Sequence, residues 1–540
     1  AGIDLRTDGI DDFDAGYNAN LIGRLLSALI DTATVGLAYL LGRDLFDRRV
    51  GFVAATLLAF TPLHIQYAHF YGAEPWVTFF VTLGVWLSLR LARGRLSLAV
   101  AAATGLAFGM AAASKLIAAA ALVVPATAIF VAVAPALAIA GRWTVTALRR
   151  GAPDVETYPA AEQGRAAWQI VGWGALTGFV VLATTAITYR VLQPYTFDGL
   201  VSVDDRFTRD LDYLEGVNSG GNVPWVVQWI GRTPLTFPLR SAFWWGMGPA
   251  LGLAVLVGAA KAVSDVIRRQ RWVLLVPLAL LVVMLGLVSQ QFNPLIRYLL
   301  PAYPTAIVLG AFAVVWGWEA GLDATARATR AGKAWSRGAR LAAAAVVGLT
   351  AFWGLAFVNG VYNTDHPRLE ASRWMAENLP EGSAISAQIW DDALPLGIPG
   401  SDPARFTIVA LDPFRPDAAV DQATGQGKVD ELIASLDQLD YVVEASNRVY
   451  DSVPRFPARY PATVAYYDAL FDGSLGFEEI ARFRTAPSLL GIEIADHQAE
   501  ETFTVYDHPT VTIWQKTPDF SVARAEALLN PASARRAPDV

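Results

Sequence analysis

The sequence predicts a polytopic α-helical membrane protein, a bundle of about ten spans, carrying a C-terminal α/β domain. Three observations predict it. The 540 residues are 54% hydrophobic and only 17% charged, with a mean hydropathy of +0.37, outside the range of ordinary soluble domains and of disordered chains. Apolar runs long enough to cross a hydrocarbon core, about 20 residues each, recur up to position 358. The formal charge of −7 is also an average of unlike halves: residues 1–358 hold 28 basic and 21 acidic side chains, residues 359–540 hold 14 and 28. Residues 21–358 therefore read as the membrane domain, residues 1–20 as the remnant of an outer loop, and residues 359–540 as a hydrophilic domain with a weakly ordered tail.

The ten apolar runs are Leu21 to Leu41, Val50 to Tyr67, Pro75 to Ala92, Leu96 to Ala113, Leu116 to Ala138, Ala166 to Tyr189, Ser241 to Ala260, Trp272 to Val288, Leu299 to Trp318 and Leu341 to Val358. Loop charge orients them, because short loops rich in Lys and Arg stay cytoplasmic. One alternate set of loops holds 19 basic residues, among them Arg48, Arg49, Arg93, Arg95, Arg268, Arg269 and Arg271; the opposite set holds eight. An even number of spans then puts the acidic C-terminal domain and residues 1–20 on the same outer side, in a multi-pass protein of the cell membrane. With no apolar segment ahead of that outer N-terminus, the expectation is that at least one span precedes Ala1. Cysteine is absent from the sequence, which excludes disulfides, thiolate metal sites and cysteine nucleophiles.

Ionisable residues at membrane depth are costly, so each is a functional candidate. They gather in the outer turns. TPLHIQYAHFYGAEPW holds His64, His69 and Glu74; Lys115 tips the next outer hairpin; SQQFNPLIRYLLPAYP holds Gln290, Gln291, Asn293, Arg297 and Tyr298. Phosphate is recognised by Arg and Lys and a hard cation by carboxylate oxygen, so the set suits an anionic ligand with, at Glu74, a divalent cation such as Mg or Mn. For each residue taken alone a plainer role stands beside this one. Lys115 and Arg297 sit where cations snorkel to headgroup level, His64 and His69 lack a metal-ligand spacing, and Glu74 before Pro75 suits a helix N-terminus. The long outer loop carries Trp225, Trp229, Phe237, Phe243, Trp244 and Trp245, either as an interfacial belt or as a groove for a lipid tail or sugar face in which Gln228 and Arg232 bind substrate.

LIGRLLSALIDTATVGLAYLLGRDLFDRRVGFVAATLLAFTPLHIQYAHFYGAEPWVTFF, with the later GMAAASKLIAAA, QFNPLIRYLLPAYP and EASRWMAENLPEGSAI, resembles the GT-C superfamily of membrane glycosyltransferases. Within it the pattern resembles the dolichyl-phosphate-mannose protein mannosyltransferases and aminoarabinose transferases. The resemblance runs from about Asn20 to Ser386. It implies an enzyme that takes a sugar from a polyprenyl-phosphate carrier and passes it to a glycan, lipid or protein acceptor on the outer face, with no nucleic acid partner. It implies two acids in outer loops. Glu74 matches the second, with His69 before it; Lys115 and Arg297, with Tyr298, match positions that hold the carrier phosphate and substrate. The first acid is expected upstream of Ala1, and Asp11, Asp12 and Asp14 are the substitutes present. Displacement at the anomeric carbon with inversion needs a carboxylate to take or orient the acceptor proton and cations, a bound metal among them, to neutralise the leaving phosphate. A catalytically inactive scaffold subunit and a transporter or flippase of lipid-linked material are the competing readings; the second calls for inverted repeats and broken midplane helices, which the sequence does not display.

Beyond Asn359, RLEASRWMAENL and KVDELIASLDQL have helical spacing, whereas SAISAQIW, RFTIVAL, DYVVEAS and TFTVYDHPTVTIWQ read as strands. The alternation predicts an α/β layer fold. Trp390, Asp391 and Asp392 either contact a ligand or cation or end a strand and cap its loop.

Overall fold

The structure is a computed structural model that describes residues 10–150, 158–220, 223–326, 330–417 and 427–530. It divides into two compact units, Ala1–Thr208 with Pro234–Gly354, and Arg209–Thr233 with Leu355–Val540. The tail after residue 530 lies outside the described residues.

The first unit is helical. Its main elements are α1 (Ile10–Leu45), α2 (Arg48–Ala59), α3 (Pro62–Ala68), α4 (Glu74–Ala92), α5 (Leu98–Ser114), α6 (Val123–Arg150), α7 (Tyr158–Leu192), α8 (Pro249–Arg269), α9 (Leu275–Gln290), α10 (Tyr303–Ala326) and α11 (Arg330–Phe357), the last running over the unit boundary. Helix covers each of the ten apolar runs, yet the span count differs from ten. Among the described residues eight helices are long and apolar enough to cross a membrane, nine if one bent pair counts as a single span.

Two local causes account for the difference. The run Val50 to Tyr67 is α2 and α3 meeting at 62°. Pro62 has no N–H to continue the α2 ladder and starts α3 instead, while the Thr61 hydroxyl, fully buried, donates to the Leu57 carbonyl at 2.8 Å. The run Leu96 to Ala113 is the 17-residue α5, about 26 Å at 1.5 Å per residue and so at the short end of what can cross. It ends because Lys115 is extended, φ −159° and ψ 119°, before a 3₁₀ segment, Leu116–Leu122, leads into α6.

Small residues let these helices approach closely. A Cβ at Gly105 would lie 2.4 Å from the Val181 carbonyl oxygen of α7. One at Gly109 would lie 2.5 Å from Thr188 Cβ. Their four-residue spacing puts both on one face of α5, the GxxxG geometry of membrane helix pairs. α2 is capped by Asp47, whose carboxylate accepts from the backbone N–H of Arg49 at 2.7 Å and of Val50 at 3.0 Å.

The second unit is built on a five-stranded sheet. β1 (Ala384–Gln388), β2 (Thr407–Leu411), β3 (Tyr441–Glu444), β4 (Phe477–Phe483) and β5 (Val511–Lys516) lie in the order β2-β1-β3-β5-β4. β1 is parallel to β2 and β3, and β5 is antiparallel to both β3 and β4. α12 (Pro367–Asn378), α13 (Lys428–Gln438), α14 (Pro461–Phe471) and α15 (Val522–Leu529) accompany it. One core cluster joins Leu432, Leu436 and Val442 to Tyr466 and Trp514; another joins Ala371 and Met375 to Ile385, Val443 and Ile513. The two clusters hold alternate residues of β3, which is buried on both faces as a central strand must be. The segment TFTVYDHPTVTIWQ, expected as one strand, is a helical turn over Glu501–Thr504 followed by β5. His508–Pro509 separates the two, since proline cannot donate to a central ladder.

Candidate active site

Three turns of the first unit bring their polar residues together. Glu74 begins α4, in the turn that follows α3, and the turn brings Gly72 so close that a Cβ there would be 3.0 Å from Glu74 Oε2. Lys115 sits at the α5 break. Arg297 and Tyr298 lie in the 3₁₀ segment Ile296–Ala302 that feeds α10. Lys115 Nζ donates to Glu74 Oε1 at 2.9 Å, and Arg297 Nε stands 3.9 Å from the same oxygen. The Lys115 ammonium is 4.3 Å from the centre of the Tyr298 ring, and the Arg297 guanidinium 5.8 Å, close enough for cation–π attraction.

One carboxylate thus faces two cations, leaving a local charge of +1. The side chains of Lys115 and Arg297 keep 29% and 27% of their surface exposed, against 12% for Glu74. The cluster is open on its cationic side, where an anion can enter. Lys115 is further positioned by its backbone N–H, which donates to the Ala111 carbonyl at 3.0 Å, and Gln193 Nε2 donates to the adjacent Ala113 carbonyl at 2.6 Å.

The other sequence candidates are distributed differently. His69 caps the C-terminus of α3 and its Nδ1 contacts the Ile65 carbonyl at 2.7 Å. Asp11 and Asp12 lie in the first turn of α1 and their side chains are outside the described residues, as is that of Asp14. Gln228 and Arg232 belong to the second unit. There Gln228 Nε2 donates to Glu501 Oε2 at 2.6 Å and Arg232 Nε donates to the Gln228 carbonyl at 3.2 Å. Among the described residues no three His, Asp or Glu side chains converge as a metal site. Among the described residues, the ion-pair partners of Glu74 are the two cations Lys115 and Arg297. Lys115 and Arg297 are the groups beside Glu74 that can meet an anion.

Two arrangements escaped the sequence. Asp31 of α1 meets His64 of α3, Oδ1 to Nδ1 2.6 Å, with the imidazole buried. The signal was a lone carboxylate inside the first apolar run, noticeable by its cost alone. In the second unit, Arg368 binds both Asp391 and Asp392, donates to the Ala445 carbonyl at 3.2 Å, and Ser446 also donates to Asp391. The WDD sequence follows β1 and its carboxylates hold the loop to α12.

Fold and site together define a multi-pass helical membrane protein with an α/β domain and a cation-flanked carboxylate at the turns between its helices. Residues 18–148 match the family model described as dolichyl-phosphate-mannose-protein mannosyltransferase, so over this stretch the chain is glycosyltransferase-like. The match covers Glu74 and Lys115 and ends before Arg297. Among solved structures, the oligosaccharyltransferase of Archaeoglobus fulgidus in its apo form is 16% identical, over 88% of this chain and 64% of that one, with a TM-score of 0.43. The same archaeal enzyme, AglB, in complex with an inhibitory peptide and a dolichol-phosphate is 15% identical over 87% and 64%, TM-score 0.43. ArnT from Cupriavidus metallidurans bound to undecaprenyl phosphate is 12% identical over 92% and 85%, TM-score 0.34. The chain therefore spans under two thirds of the length of the archaeal enzyme. No curated protein matches it.

Proposed function

We propose that this protein is a membrane glycosyltransferase that moves a sugar, a hexose or pentose, from a polyprenyl-phosphate carrier to a glycan, lipid or protein acceptor on the outer face of the membrane. The observation that carries the reading is the convergence of Glu74, Lys115 and Arg297 from three separate turns on one open cluster. The concentration of Lys and Arg in the alternate set of loops supports an extracytoplasmic side for these turns and for the acidic second unit. The similarity of residues 18–148 to mannosyltransferases that use a lipid phosphate donor supports the donor class.

Without donor, the Glu74 carboxylate is held by Lys115. An entering phosphate competes for both cations, because its oxygens accept from Lys and Arg more strongly than a shared carboxylate oxygen does. Lys115 and Arg297 then neutralise the negative charge that grows on the phosphate oxygen as the carrier leaves the anomeric carbon. Glu74, released, accepts the proton of the acceptor hydroxyl as it attacks from the opposite face. The new glycosidic bond is inverted, and carrier phosphate is the other product.

The test is transfer of label from a radiolabelled polyprenyl-phosphate sugar by the purified chain in detergent. Lys115→Ala and Arg297→Ala are each expected to lower turnover by about 10- to 100-fold, the weight of one charged hydrogen bond to a developing charge, with an unchanged unfolding midpoint. Wild-type turnover in Arg297→Ala would remove that residue from the site. Failure of the wild-type chain to transfer from any lipid-linked sugar would favour the scaffold reading.

A further inference from the structure

At the other ends of the helices lies a second polar cavity that the proposed reaction does not use. α10 starts beside Arg297 and reaches Glu319 about 24 Å later, at 1.5 Å per residue, so the cavity sits a membrane's hydrocarbon depth away from the Glu74 cluster. It encloses about 220 Å³, and Lys261, Asp265, Arg269 and Arg271 line it with Phe312 and Trp316. A separate groove of about 260 Å³ shares its Val315 and Glu319 wall, and is almost wholly apolar, with Val53, Val314, Ala344 and Val347 along it.

The charges in the polar cavity do not cancel. Asp47, on its wall, is engaged in capping α2, and Glu319 is bound by Arg49 at 2.9 Å. Asp265 is paired with three cations: Lys261 binds its Oδ1, Arg269 Nε is 3.5 Å from Oδ1, and Arg271 Nη1 is 3.6 Å from Oδ2, so that with Arg49 four cations meet the three carboxylates Asp47, Asp265 and Glu319. Asp265 is 98% buried and its Oδ2 makes no hydrogen bond. The cations are also held in place. Arg271 donates to the Leu45 carbonyl at 3.1 Å and lies over Phe46, which stacks on Phe312 at 4.1 Å. Lys261 Nζ is 5.3 Å from the Phe312 ring and 5.8 Å from that of Trp316. A pre-positioned excess of one positive charge at a helix end, opening beside an apolar groove, matches the single negative charge of a phosphodiester carried on an acyl chain. Such basic pockets between membrane helices are where lipid headgroups bind.

We propose that this cavity seats the phosphodiester of a membrane phospholipid, with one acyl chain lying in the groove along Val53 and Val347. The lipid would join α1, α2, α8 and α10 at the basic-loop end of the first unit, independently of the glycosyl transfer proposed above. The experiment is native mass spectrometry of the delipidated full chain titrated with dioleoyl-phosphatidylglycerol, with inorganic phosphate as the competing probe. The first bound lipid is expected to be held at least tenfold less tightly by the double variant Lys261→Gln, Arg271→Gln, and to be kept by Lys261→Arg. Should the double variant not fold, two others decide. Arg269 is 68% exposed, so Arg269→Gln tests charge without threatening the core and should weaken binding two- to threefold. Ala344 is exposed on the groove wall, so Ala344→Trp fills the groove and should weaken the lipid by a similar factor. Unchanged lipid affinity in these variants overturns the proposal. So does displacement of the lipid by equimolar inorganic phosphate, which would make the cavity a small-anion site.

Discussion

The two units place ionisable groups in opposite ways. In the first, the polar cluster at Glu74 is lean: one carboxylate, two cations and roughly a quarter of each cation's side chain still open. In the second, the buried groups around His508 and Glu501 are saturated. His508 lies between two carboxylates, Nδ1 on Asp507 and Nε2 on Asp496 at 2.9 Å, and Asp507 in turn accepts from the Tyr362 hydroxyl at 2.9 Å. Glu501 receives both Arg448, at 2.6 Å, and Gln228. Saturation fixes a fold and leaves no capacity for a ligand; a lean, cation-rich cluster fixes less and binds more. The contrast is what favours the first unit as the seat of the proposed chemistry.

The largest effect should come from breaking the lean side. Glu74→Gln keeps the shape of the residue and removes the carboxylate that Lys115 and Arg297 share. Turnover with a lipid-linked sugar should fall about 10³-fold, within the range of a lost general base and equal to about 4 kcal/mol. The unfolding midpoint should move little, because the quarter of each side chain that stays open lets water solvate Lys115 and Arg297. A variant that loses stability and keeps turnover would reverse the roles of the two units.

The saturated side should answer to pH instead. Burial alone would lower the His508 pKa, but Asp507 and Asp496 outweigh it and raise it from 6.5 to about 9. The imidazolium is therefore retained in the folded state over a range where an unfolded histidine is neutral. Its contribution is complete below about pH 6.5 and is lost as pH rises through 9, and it amounts to roughly 3 kcal/mol at 1.36 kcal/mol per unit. The hydrogen-exchange protection factor over residues 496–508 of the full chain, with the intrinsic base-catalysed rate divided out, should fall between pH 7 and 9.5. In His508→Gln the protection factor should be low throughout and independent of pH.

The helices of the first unit were legible because a membrane core demands long apolar runs, and Pro62 marked the break that turned one run into a bent pair. Site membership was legible only in part. Glu74, Lys115 and Arg297 stand out as charges beside apolar sequence, but their 41-residue and longer separations hide which oxygen meets which nitrogen. The same holds for Asp31 and His64, 33 residues apart. Residues 209–233 read as part of an outer membrane loop, rich in aromatics, yet they fold with the second unit through Gln228 and through Trp225, whose ring centre is 5.7 Å from that of Trp390. Nothing in their composition distinguishes packing against a domain from lying at an interface. β4 went unnoticed because its pattern, FEEIARF, carries adjacent exposed glutamates and a register shift between Glu479 and Ala481, which blurs the alternation that marks a strand.

The smallest effect sharpens the contrast by its sign. Glu444, on the central strand β3, is fully buried, and burial pushes its carboxyl well above the usual range despite hydrogen bonds to Gln388 and Tyr467. Gln388 Nε2 donates both to Glu444 Oε2 and to the Tyr467 hydroxyl, and Glu444 Oε1 has no partner. A group kept neutral in the folded state but ionised in the unfolded one favours folding only at low pH. Its contribution declines as pH rises above the unfolded value of 4.5, the opposite of a salt-bridged carboxylate. Glu444→Gln supplies a neutral side chain of the same shape and removes that penalty. At pH 7 it should raise the unfolding midpoint of the chain by about 2–4 °C, the effect of roughly 1 kcal/mol in a domain of this size, and at pH 4 the gain should vanish. A lowered midpoint at pH 7 would mean that Glu444 is charged in the fold and held by a partner, and that the second unit too contains a charge poised for chemistry.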